Sequence, residues 1–132
     1  MKISFVVPGY ARDPIGGVGV VYQYANGLVA RGHEVTVVHA ARYRRRPRLR
    51  DGRPRGQIEQ IVSGWRDLRR GAPDSVAWLA VDPRVDLRYA ATIGPHSVPD
   101  GDAVVATAWQ TADPVAALPP EKGMGAYLIQ HH

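Results

Sequence analysis

Residues 2–40 hold an apolar run, a glycine-rich loop, an apolar stripe at helical spacing, a glycine stop and a second apolar run. No other stretch restricts the fold as much. Lys2–Pro8 (KISFVVP) is β-rich and apolar without alternation, the pattern of a strand buried on both faces, as in a parallel sheet. Gly9–Gly17 reads as a loop with Pro, Gly and Asp. From Val18 the period changes: Val18, Val21, Ala25 and Leu28 fall at i, i+3, i+7 and i+10, and Tyr22 and Val29 widen the stripe. Arg31 is placed in the last helical turn, where the dipole favours a cation, and Gly32 is a natural left-handed stop. His33–Ala40 (HEVTVVHA) is a second buried strand. Strand, helix and strand in this order make a right-handed βαβ unit.

The rest of the chain continues the alternation. Positions 41–56 are rich in Arg, Pro and Gly and predict a basic, mobile loop. Gln57–Arg70 regains helical spacing through Ile58, Ile61, Val62, Trp65 and Leu68, and Gly71 ends it. Ser75–Val81 (SVAWLAV) and Val85–Ala90 predict short strands around Asp82-Pro83. Asp100 and Asp102 read as a turn before Asp102–Thr107, a further parallel strand. Trp109–Leu118 predicts a short helix with Pro114 near its first turn. Gly125–Gln130 predicts a last buried strand. The predicted fold class is α/β: a Rossmann-like, open, mostly parallel sheet flanked by helices, in a single domain over 1–132.

Composition narrows the function classes. Hydrophobic residues make up 45% of the chain, enough to supply a core. There is no cysteine, which removes disulfides and thiolate metal sites and fits a cytoplasmic protein. The N-terminus lacks a long apolar region and a small-residue cleavage site, so it reads as a first strand and not a signal peptide. The net charge of +5 is local in origin. Positions 42–55 hold eight Arg against one Asp, a local +7, which leaves −2 for the remainder. Such a segment suits a solvated loop or, beside the 58–68 stripe, docking on an anionic membrane surface. No helix-turn-helix, RNP-like or zinc pattern accompanies it, so no nucleic-acid partner is expected.

The loop before the first helix contains PIGGVGVV, with Gly16, Gly17 and Gly19. It fails as a dinucleotide fingerprint. The third glycine position holds Tyr22, seven residues separate Pro8 from Gly16, and the second strand ends VVHAAR with no acid for a ribose hydroxyl. No Gly-Lys-Ser/Thr follows, which excludes a Walker loop. The glycines still suit an anion. They let the backbone approach a ligand, and first-turn amides point outward with the positive end of the dipole. The candidate donors are Gly16, Gly17 and the amide of Val18. A flexible turn with close helix–sheet packing explains the same residues and stays open. His39, at a strand end, reads as a structural histidine; Tyr22 and Tyr24 read as packing or surface residues.

Three blocks in order carry a resemblance: VVPGYARDPIGGVGVVYQYANGLVARGHEVTVVHA, PDGDAVVATAWQTADPVAALPPEKG and GAYLIQHH. Together they resemble the N-terminal domain of GT-B-fold glycosyltransferases, especially the retaining glycosyltransferase family 4. The resemblance spans about 1–41 and 98–132; 42–97 carries little of it. It implies transfer of a sugar from a nucleotide-diphosphate donor to a glycan or lipid-linked acceptor with retention, without metal or other cofactor. It implies that Gly16, Gly17 and Val18 approach the donor phosphates. Thr107, Trp109 and Gln110 match the cleft rim after the fourth strand, where Trp109 would offer a stacking face to a sugar. His131 or His132 matches the histidine near the reacting sugar; the pair also reads as the stub of a tag. The family has a second, donor-binding domain that is absent from these 132 residues. The expectation is therefore the acceptor-side half of a longer enzyme, cytoplasmic or peripheral at a membrane, and inactive alone. The alternative is a stand-alone Rossmann-like module that binds a nucleotide or phosphorylated ligand; a basic scaffold for nucleic acid ranks below both.

Overall fold

The computed structural model describes residues 1–42, 55–73 and 76–130, with side chains omitted at 42, 55–61 and 63. The elements are β1 (Lys2–Pro8), α1 (Gly16–Ala30), β2 (Glu34–Arg42), α2 (Arg55–Arg70), β3 (Asp86–Thr92), β4 (Ala103–Ala106), α3 (Trp109–Ala116), a 3₁₀ turn (Pro120–Lys122) and β5 (Met124–Tyr127). The five strands form one sheet in the order β3-β2-β1-β4-β5, and every pairing is parallel. This is the α/β, Rossmann-like open sheet that the sequence predicts. β1 is central, with Val6 opposite Val38 on one side and Ala106 on the other.

Strand periodicity sorts the valines into two cores. Phe5, Val7, Val35 and Val37 pack under α1 against Val18, Val21, Tyr22, Ala25 and Val29. Val6, Val38, Val104 and Ala106 face the other way, against Val98 and Val115 of α3. Each buried valine contributes on the order of 1.5–3 kcal/mol, so β1 and β2 stabilise both layers at once. At the amino ends of the strands, Asp102 accepts the Lys2 amide at 2.7 Å and Asp100 accepts the Lys122 ammonium at 2.6 Å.

Several boundaries differ from the sequence reading. α1 starts at Gly16, two residues before the apolar stripe, because the Ile15 carbonyl accepts from the amides of Val18 and Gly19 at 3.0 Å each. Arg31 is the C-cap, and its guanidinium reaches back to Gly27 O at 3.1 Å. SVAWLAV is no strand: its described residues, from Val76, form turn and coil. Val76, Trp78, Leu79 and Val81 pack onto the α1-side core, and Asn26 of α1 ties the segment down through Ala80 O and the Asp82 amide. The place beside β2 belongs to β3 instead. Pro114 is the sixth residue of α3, past the first turn. β5 ends at Tyr127 and is exposed along its length rather than buried, since it pairs only with β4 among the described strands. Most of the predicted basic loop, 43–54, lies outside the described residues.

Candidate functional site

The chain steps from β1 to β2 to β3 on one side of the sheet, then crosses to β4 on the other side of β1. The connections after β1 and β4 therefore diverge, and between their carboxyl ends they leave the crevice where open α/β sheets bind ligands. One wall is the loop 9–15 with the start of α1. The other is 107–108 with the start of α3.

The first wall is held from below. Gly9 turns with φ +77, and its amide donates to Ala40 O at 2.8 Å. Ala11, at φ +47, is the one described non-glycine residue in the left-handed region, and the Trp78 indole donates to its carbonyl at 2.9 Å. Arg12 lies 6.0 Å over the Tyr10 ring, donates to Gly71 O and approaches Asp67 of α2 at 3.6 Å. Beneath the loop sits a nest of rings. His39 stacks on Tyr89 at 4.8 Å, Tyr10 meets Tyr89 edge-on at 5.4 Å, and Tyr22 lies against both His39 and Trp78.

His39 is wholly buried and shares a 3.0 Å hydrogen bond with the Tyr22 hydroxyl. Burial pushes its pKa down to about 4, and the Gly9 backbone opposes this only in part. We assign the ring proton to Nδ1, on the Gly9 side, so that Tyr22 donates to Nε2. Nδ1 reaches no partner at hydrogen-bond geometry. Burial, with Tyr89 close by, raises the Tyr22 phenol well above its ordinary range. The nest is thus neutral near pH 7 and cannot itself bind an anion by charge. Its role is to set the loop that delivers α1.

The start of α1 is bare. Ile15 provides no side-chain cap, and no acid occupies the first turn. The Val18 amide, a donor in the sequence reading, is already taken by Ile15 O. No described residue accepts from the amides of Gly16 or Gly17, which leaves these two as the outward donors. Neither glycine has a positive φ, so the turn reading does not explain them. A Cβ on Gly16 would meet nothing within 4 Å. A Cβ on Gly17 would come within 2.7 Å of the Gln130 Oε1.

The second wall is more structural than expected. The Thr107 hydroxyl donates to Val6 O at 2.9 Å, which ties β4 to β1. Thr111, buried and unnoticed in the sequence, accepts from the amides of Thr107 and Ala108 at 3.2 Å each and fixes the start of α3. Trp109 is 51% exposed on the rim. Gln110 Oε1 and Gln130 Nε2 are both shut from solvent without a hydrogen-bond partner. The structure brings Gln130 onto Gly17, a contact between distant parts of the chain that no local motif signals. His131 and His132 lie outside the described residues.

Pockets elsewhere offer less chemistry. One of about 540 Å³ lies at the amino ends of β1–β3. Its charges pair among neighbours, Lys2 with Glu34 at 3.7 Å and Arg88 with Asp86 at 2.6 Å. Among the described residues, no three of His, Asp and Glu are grouped to hold a metal ion, and no helix is long and apolar enough to cross a membrane. Comparison with known protein families, with curated proteins and with solved structures returned no match.

Proposed function

We propose that the crevice between β1 and β4 binds the diphosphate of a nucleotide sugar, and that the chain is the acceptor-side half of a retaining glycosyltransferase. The observation that carries this reading is the uncapped, acid-free start of α1 at Gly16-Gly17. A helix glycine costs up to about 1 kcal/mol relative to alanine, and Gly16 has no packing reason to be one. Two unpartnered amides at the positive end of a helix are a natural place for phosphate oxygens. A departing diphosphate would be stabilised there as its charge develops. A module that merely binds a phosphorylated ligand would use the same amides. Transfer is favoured by the resemblance of the blocks at 98–132, which supply a rim with Trp109 and Gln110 opposite them.

The test is a titration of ¹⁵N-labelled protein with pyrophosphate and with nucleoside diphosphates. The Gly16 and Gly17 amides are expected to shift together, at millimolar affinity, because an isolated site of this kind supplies only a few kcal/mol. Unmoved amides at both positions would remove the reading.

A membrane surface remains the proposed second partner. Val62 and Trp65 are exposed on α2, beside Arg66, Arg69 and Arg70. Apolar and basic residues together on one helix suit an anionic interface. Sedimentation with anionic vesicles is expected to exceed that with neutral ones; equal sedimentation would sink this part.

A further inference from the structure

We propose that the Gln130 side chain is a displaceable plug of the phosphate site, occupying over Gly17 the place that a ligand oxygen takes. The inference rests on the reading of that site given above.

Three features support it. The space left by the missing Cβ of Gly17 is used, since Gln130 Oε1 would stand only 2.7 Å from such an atom. The end of the carboxamide directed there is its oxygen. An oxygen is the negative pole of the group, and the start of a helix is where a negative pole is favoured. That electrostatic preference supports this amide orientation over the flipped one. The carboxamide therefore stands in for an anionic oxygen in the ligand-free chain.

The plug is incompletely satisfied. Its Nε2 is shut from solvent and finds no acceptor. A buried donor without a partner weakens the hold of the pose that buries it. The obstruction is also the far end of a flexible side chain, and it can swing aside without moving backbone. A phosphate oxygen competing for the Gly16 and Gly17 amides carries full charge where the carboxamide carries a partial one. It displaces Gln130 and returns Nε2 to water.

A site that is open for only a fraction of the time binds with its affinity reduced by that fraction. Removing the plug must then tighten binding, whereas removing a ligand contact would weaken it. The experiment follows the Gly16 and Gly17 amides of the full chain during pyrophosphate titration, in the wild type, Gln130→Ala and Gln130→Glu. Gln130→Ala is expected to bind roughly fivefold tighter, which corresponds to a site open about one fifth of the time. Gln130→Glu fixes a carboxylate at the helix start. It is expected to bind at least about tenfold more weakly while its thermal midpoint holds or rises. Equal binding in all three proteins would leave the phosphate site standing and overturn the plug. Weaker binding in Gln130→Ala would make Gln130 a ligand contact and also overturn it. If pyrophosphate moves neither amide in wild type or Gln130→Ala, the site and the plug fall together.

Discussion

Acidification from pH 7 to pH 4 is expected to remove about 3 kcal/mol of folding stability through His39 alone. The ring is neutral and wholly buried, with its pKa lowered from 6.5 to about 4 by desolvation. The unfolded chain therefore binds a proton at higher pH than the folded one. The stability is complete above about pH 6.5 and is lost as pH falls through the window down to about 4. A tenfold difference in proton affinity between the two states corresponds to about 1.4 kcal/mol, which sets the magnitude. The charged groups nearest the nest oppose any rescue: Arg12 sits over Tyr10 and is itself engaged with Asp67. Tyr22 and Tyr89 stay uncharged in this range, since burial raises both phenols. Asp82, held down to about 2 by Arg84, titrates below the window.

The measurement is urea unfolding at pH 7, 5.5 and 4, with the double variant His39→Phe/Tyr22→Phe as reference. Replacing both partners of the buried hydrogen bond leaves neither polar group stranded. The wild type is expected to lose stability steeply across the window and the double variant much less. Equal slopes would show that His39 does not carry the effect. The loop 9–15 rests on this nest, so the Gly16 and Gly17 amides should report the same transition.

Gly123→Ala is expected to cost at least about 3 kcal/mol and to lower the thermal midpoint by roughly ten degrees. Gly123 has φ 99 and ψ 178, a region that is essentially reserved for glycine. A Cβ there would also stand 2.5 Å from Ala103 N and from Asp102 C. Both are backbone atoms at the start of β4, so no side chain can give way. The adjacent Met124 amide donates to Asp102 O at 3.0 Å, and β5 docks on β4 from that bond onward. Gly125→Ala, two residues on, meets nothing within 4 Å and should stay within about 0.5 kcal/mol of wild type. Similar midpoints for the two variants would refute the steric account.

The fold was largely legible because its strongest signals are local. The apolar run of β1, the stripe of α1, Gly32 and the apolar run of β2 follow one another within a single unit, and burial on both faces removes the alternation that would mark an antiparallel strand. Ser75–Val81 misled for the converse reason. Its residues have high β-propensity, but propensity expresses fit to a sheet face, and β3 fills the position beside β2. The apolar side chains found burial against α1 instead.

The site divides in the same way. The residues around Gly16 and Gly17 are legible as a helix start suited to an anion, because glycine frequency and spacing are properties of the chain. The resemblance adds sugar-nucleotide chemistry as a proposal for that start. Which amides are free was decided by tertiary structure: Ile15 O takes the Val18 amide, and Val6 O takes the Thr107 hydroxyl. Tyr22 and His39 meet only because α1 lies on β2, and Gln130 reaches Gly17 only because β4 and β5 return beside β1. The sequence by itself determined a parallel α/β sheet with a glycine-led helix at its crevice, since periodicity and glycine placement act over a few residues. Only the tertiary structure decided which polar groups are spent on the scaffold and which still face a ligand, because hydrogen-bond partners are chosen by proximity in space.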